Sequence, residues 1–144
     1  MTPGHPDSAV VRRHLLAMQA ALQNLQRHRN STLAELQLNL DQLWAIERGL
    51  QLIAQNALDI ATHLVAAAGF DSADYTTAID RLVTIRALSP EFAARFRGIA
   101  GFRNVLVHGY LEVDLMLVQR VLRERLPDFT EFAQSIERYL ASVP

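Results

Sequence analysis

Residues 41–68 read DQLWAIERGLQLIAQNALDIATHLVAAA. Leu43, Leu50, Ala54, Ala57, Ala61 and Leu64 form one stripe, and Ile46, Ile53 and Ile60 lie beside it. Steps of three, four and seven are the helical period. A helix apolar over so much of its circumference is buried on several sides, so it runs through the domain centre or contributes to a subunit interface. Similar spacing recurs along the rest of the chain, and no segment alternates with period two for long. The fold class predicted is therefore all-α, an up-and-down bundle of about five to six helices. Trp44 is expected in the core or at an interface.

Upstream, Pro3, Gly4 and Pro6 mark residues 1–6 as a loose leader. Asp7 or Ser8 caps a first helix to about Arg29, with Val11, Leu15, Met18, Leu22 and Leu25 on its apolar stripe. After Asn30-Ser31, Thr32 and Glu35 have capping-box spacing. The segment 32–68 is either one continuous helix or a short helix broken near Asn39, with Asp41 restarting it; the break is preferred because Asn and Asp favour caps over helix interiors. Downstream, Gly69 supplies a left-handed stop. A helix is expected from about Asp74 to Leu88. Ser89-Pro90-Glu91 starts another that ends near His108-Gly109. Asp114 caps a helix to about Leu126, and Pro127-Asp128 precedes the last, to about Ala141. Gly98 and Gly101 are read as small residues permitting close helix packing. Glu47 with Arg48, and Asp59 with His63, read as polar pairs.

The chain of 144 residues is half hydrophobic and one-fifth charged, which fits a single globular domain over 1–144. No apolar run reaches membrane length and no signal-like start is present, so a cytoplasmic chain with no membrane partner is expected. With no cysteine, a disulfide framework and thiolate metal sites are excluded. No metal or other cofactor is expected. The net charge of −1 argues against general nucleic-acid coating, and DNA is not expected as a partner. The positive charge is nevertheless concentrated: Arg81, Arg86, Arg95, Arg97 and Arg103 stand against Glu91 alone. That stretch is either a solvated helix face or a strip, including Arg95 and Arg97, that guides RNA.

The strip leads into Arg103-Asn104-Val105-Leu106-Val107-His108-Gly109-Tyr110. An arginine holds a phosphate through forked, charge-assisted hydrogen bonds, and a histidine moves protons near neutral pH. Together they suit metal-free cleavage of an RNA phosphodiester, with His108 as general base and Arg103 as phosphate clamp. Chance supplies roughly half an Arg-x4-His match among 14 arginines and 5 histidines. The tyrosine two places later lowers that to about 0.01. Asn104 either orients substrate or bonds a turn.

Arg-x4-His-x-Tyr resembles the signature of the HEPN superfamily in its HepT branch. The resemblance extends through Trp44 to Gln51, Leu58 to His63, Gly101 to Asn104 and Leu122 to Pro127, covering roughly residues 41–141. It implies an all-helical, homodimeric, metal-independent ribonuclease toxin. It also implies an MntA-like nucleotidyltransferase antitoxin that adenylylates the motif tyrosine, here Tyr110. The competing reading is a catalytically silent helical adaptor that binds a nucleotidyltransferase or nucleotide.

The motif poses a geometric problem. Five residues of ideal helix turn through about 500°, leaving Arg103 and His108 about 140° apart and displaced by about 7.5 Å. Either the helix unwinds at His108-Gly109, or a dimer sets two copies face to face.

Overall fold

Asn39 divides the long segment by cap chemistry. Its backbone is extended (φ −117°, ψ 92°), and its Oδ1 accepts from the Gln42 N–H at 3.1 Å. In the computed structural model, which describes residues 4–109 and 113–143, α1 (Ser8–Gln26) precedes α2 (Leu33–Leu38), which stops at Asn39. The central helix α3 (Leu40–Ala67) starts immediately beyond it. Next come α4 (Tyr75–Thr84), α5 (Pro90–Phe96), α6 (Ile99–His108), α7 (Leu115–Arg120) and α8 (Leu126–Ser142). Every regular element among the described residues is helical, and none is long and apolar enough to cross a membrane.

α3 is the centre of the bundle, as its apolar circumference predicts. Ile46, Leu50, Ile53, Leu58, Ile60 and Leu64 are wholly buried, and α1, α2, α4, α6 and α8 all pack against it. Its tightest approach is to α1. A Cβ added at Gly49 would stand 2.8 Å from Leu25 Cδ2, so any larger residue there forces the buried Leu25 side chain to shift. At the other side of the core, Phe96 stacks on Phe92 and Phe132 with centroids 5.0 and 4.9 Å away and meets Phe129 edge-on at 5.2 Å. These rings join α5 to α8.

Polar side chains set most helix starts. Asp7, Thr32, Asp74, Ser89 and Asp114 each accept N–H groups of the following turn. The Asp74 bond from Thr77 N–H is 2.7 Å long, and that donation holds its carboxyl below the usual range. α3 ends in a two-bond reverse turn centred on Gly69 at φ 87°, with Phe70 N–H to Val65 O and Gly69 N–H to Ala66 O both 3.0 Å.

Several expectations are corrected. α4 ends at Thr84 and not near Leu88, because Arg86 adopts φ 64° and closes the same reverse turn without glycine. The helix expected from Pro90 to His108 is two, interrupted at Arg97-Gly98, where glycine is a weak helix former. Gly98 and Gly101 do not mediate close packing; a Cβ at either meets nothing within 4 Å. Conversely, the two helices expected around Pro127 are one run: α7 passes through a π turn, Val121–Arg125, directly into α8. Proline lacks an N–H and its ring presses on the carbonyl four residues earlier, here Arg123; the wider turn relieves that pressure. Arg123, Glu124 and Arg125, which form the turn, are exposed.

Side-chain pairs change as well. Arg48 donates to Gln51 at 3.2 Å, not to Glu47. His63 accepts from the Asp7 backbone N–H at 3.1 Å, while Asp59 accepts from Gln55 at 2.8 Å, so the Asp59–His63 pair does not form. Trp44 is 60% exposed, outside the core, and Leu38 and Leu40 are exposed as well. Helices of the same chain cover most of α3, so its breadth of apolar surface gives no argument for a homodimer; only its N-terminal end leaves large apolar groups uncovered.

Candidate active site

α6 carries the motif and packs against α3. It remains helical through His108, with Gly109 as its C-cap at φ −89° and ψ 42°. Unwinding at His108 therefore does not bring the imidazole round to Arg103. The two side chains keep the divergence of a regular helix, about 140°. His108 is exposed on the last helical residue.

Arg103 is half-buried and held from three sides. Its Nε donates to Gln55 Oε1 at 2.7 Å, its Nη1 donates to Asn104 Oδ1 at 3.1 Å, and its Cζ lies 5.6 Å from the Tyr75 ring centroid. Gln55 is fixed in turn: its Nε2 donates to Asp59 Oδ1 at 2.8 Å and to Tyr75 Oη at 3.3 Å. Groups from α3, α4 and α6 thus converge on one guanidinium. Gln55 and Tyr75 escape a reading of the sequence because they lie 48 and 28 positions from Arg103, and no local spacing links them.

The other arginines of the basic stretch are placed differently. Arg95 Nη2 donates to both carboxylate oxygens of Glu131, at 3.0 and 3.1 Å, and its Nε lies 3.7 Å from Asp128. Arg97 makes a forked pair with Asp80 at 3.0 and 3.1 Å. Arg81 stacks over Phe70, 5.5 Å from its centroid. Among the described residues Arg103 forms no ion pair, as Arg81 and Arg86 of the same stretch also form none, but it alone of the three is held by side-chain hydrogen bonds. Its hydrogen-bond acceptors among the described residues are the neutral Gln55 and Asn104. Tyr110, expected as the modified residue, lies outside the described residues.

The site can therefore offer an anchored cation to an anion and an accessible imidazole nearby. Over 124 residues the chain is 29% identical to a tRNA nuclease HepT of Aphanizomenon flos-aquae (strain 2012/KM1/D3), spanning 85% of this chain and 84% of that protein. Its fold matches the tri-AMPylated Shewanella oneidensis HEPN toxin, solved in complex with MNT antitoxin, with a TM-score of 0.78 at 18% identity over 90% of this chain and 97% of the toxin. YutE of Bacillus subtilis, a cytosolic protein of unknown function, matches with a TM-score of 0.81 at 19% identity over 96% of this chain and 94% of YutE. The model of the family described as ribonuclease HepT-like matches residues 18–136, most of the chain, and the chain belongs to that family.

Proposed function

We propose that this chain is a metal-independent endoribonuclease and the toxin of a toxin–antitoxin pair. The observation that carries the reading is Arg103: a cation anchored by Gln55, without an ion pair among the described residues, on the same short helix as an exposed histidine. In the reaction, His108 removes the proton of a ribose 2′-hydroxyl. The 2′-oxygen attacks the adjacent phosphorus, and Arg103 stabilises the charge that accumulates on the phosphorane. The 5′-oxygen leaves by taking a proton from water, and His108 returns its proton to the resulting hydroxide, giving a 2′,3′-cyclic phosphate and a 5′-hydroxyl end. Asn104, in contact with Arg103, orients the same phosphate. Arg95 and Arg97 contribute to RNA guidance only where a phosphate displaces their carboxylate partners.

Arg103 and His108 diverge on one helix, so the reading includes a homodimer in which each phosphate meets groups from both copies. The relative from Aphanizomenon flos-aquae supports tRNA as the substrate class.

Purified protein is expected to cleave RNA in EDTA and leave cyclic phosphate ends. Arg103→Ala and His108→Ala are each expected to lower the rate by about 10²- to 10⁴-fold without changing the helical content. Chelator-sensitive cleavage, or full activity in His108→Ala, would move the chemistry elsewhere.

Control by an MntA-like nucleotidyltransferase follows the same logic. Tyr110 stands two positions past His108 in sequence, and an AMP group on its hydroxyl adds bulk and negative charge beside the phosphate site. Co-expression with such a partner is expected to add about 329 Da per AMP by intact-mass spectrometry, and the addition should vanish in Tyr110→Phe. Inhibition without added mass would indicate simple occlusion.

A further inference from the structure

We propose that Gln55 is a positioning residue for Arg103: a neutral side-chain amide that fixes the guanidinium without cancelling its charge. The inference rests on the ribonuclease reading of Arg103, and the geometry that supports it is a one-way chain of hydrogen bonds. An ionised carboxylate only accepts, a guanidinium only donates, and an amide has one end for each. Asp59 Oδ1 takes one Gln55 N–H at 2.8 Å and Tyr75 Oη takes the other at 3.3 Å. With both N–H groups engaged, Oε1 has a single sense, toward Arg103 Nε at 2.7 Å. The neighbours therefore fix the orientation of the amide.

The residue type matters. A carboxylate at position 55 would give a stronger bond to Arg103, but it would neutralise the guanidinium and compete with a phosphate for it. Glutamine keeps the negative charge one link away, on Asp59. It occupies Nε; with one Nη1 hydrogen on Asn104, Nη2 and the second Nη1 hydrogen are left to grip a phosphate. The Tyr75 ring, with its centroid 5.6 Å from Cζ, restricts tilting of the guanidinium. Gln55 itself sits on α3, between wholly buried Ala54 and half-buried Asn56, so its own backbone is fixed by the core.

Two variants separate positioning from mere structural support. Gln55→Met keeps the size and removes both hydrogen-bonding ends. It is expected to fold with little change in melting temperature, lower kcat by about 10- to 100-fold, and leave KM within about threefold. The exchanged pair Gln55→Glu with Asp59→Asn retains net charge and the number of hydrogen bonds while moving the negative charge next to Arg103. A structural role makes that exchange harmless, whereas positioning without neutralisation makes it lose about 100-fold or more in kcat.

In an Arg103→Ala background, Gln55→Met should have no further effect. A readout independent of cleavage is the Arg103 Nε–H resonance, expected to be protected from solvent exchange in the wild type and not in Gln55→Met. Wild-type kcat in Gln55→Met, or an active exchanged pair, overturns the proposal, as does an Nε–H that exchanges equally in both proteins. Cleavage that survives Arg103→Ala overturns the ribonuclease reading instead, and the resonance then still decides whether Gln55 holds Arg103. Should Gln55→Met fail to fold, the exchanged pair and its kcat carry the decision.

Discussion

Arg95, Arg97 and Arg103 fall within nine positions, yet only the last is without an ion pair among the described residues. The difference comes from partners far away in sequence: Glu131 and Asp128 for Arg95, Asp80 for Arg97, and neutral Gln55 for Arg103. A count of charges in a window reveals the excess of arginine but not which arginines are cancelled. The motif itself was legible because Arg103, Asn104 and His108 are close in the chain; their supporting groups were not. Glu47 shows another effect of tertiary surroundings. Burial pushes its carboxyl above the usual range. A raised folded value means the neutral form is favoured on folding, so its contribution is full below the ordinary carboxylate range and lost as pH rises through the raised value. Glu47→Gln is therefore expected to raise the melting temperature at pH 7, by about 1–2 °C for a half-exposed group, with the gain disappearing near pH 3. Thermal scans at the two pH values check it, and an equal gain at both would assign the effect to something other than ionisation.

At the scale of elements, starts were easier to read than stops. Asp7, Asn39, Asp74, Ser89 and Asp114 act on their own next turn, so their chemistry is local and visible. The stop at Gly69 was legible for the same reason, since glycine advertises a left-handed turn. The stop at Arg86 was not: Ala87 N–H to Leu82 O at 2.8 Å and Arg86 N–H to Val83 O at 3.0 Å repeat the Gly69 geometry with a side chain present. The left-handed backbone costs a residue with a Cβ about 1–2 kcal/mol. Arg86→Gly is expected to stabilise the fold by about 1 kcal/mol net of glycine's greater freedom when unfolded, measured by urea denaturation. Destabilisation would show that the Arg86 side chain contributes more than its backbone strain costs. Pro127 misled in the opposite direction. It reads as a boundary, but the π turn lets one helical run continue past it, and the buried positions Val118, Leu122 and Leu126 step by four into α8.

For the whole molecule, the central helix was legible because burial on all sides leaves a broad apolar pattern. The alternative reading of that pattern, a subunit interface, loses its support along most of the helix, since the chain's own helices supply the cover. The argument for two copies now comes from α6, whose regular geometry separates Arg103 from His108. If each site draws Arg103 from one copy and His108 from the other, mixing Arg103→Ala with His108→Ala chains rebuilds one intact site per mixed dimer. Random exchange then restores about a quarter of wild-type cleavage, whereas sites contained within one chain stay dead. Arg103 is also tied to a helix enclosed by five others, while His108 occupies the exposed final residue of its own helix. Helix ends open at little cost and enclosed helices open only with the whole domain. On the roles proposed for them, warming is expected to loosen His108 well before Arg103, so that phosphate binding outlasts cleavage as the temperature rises.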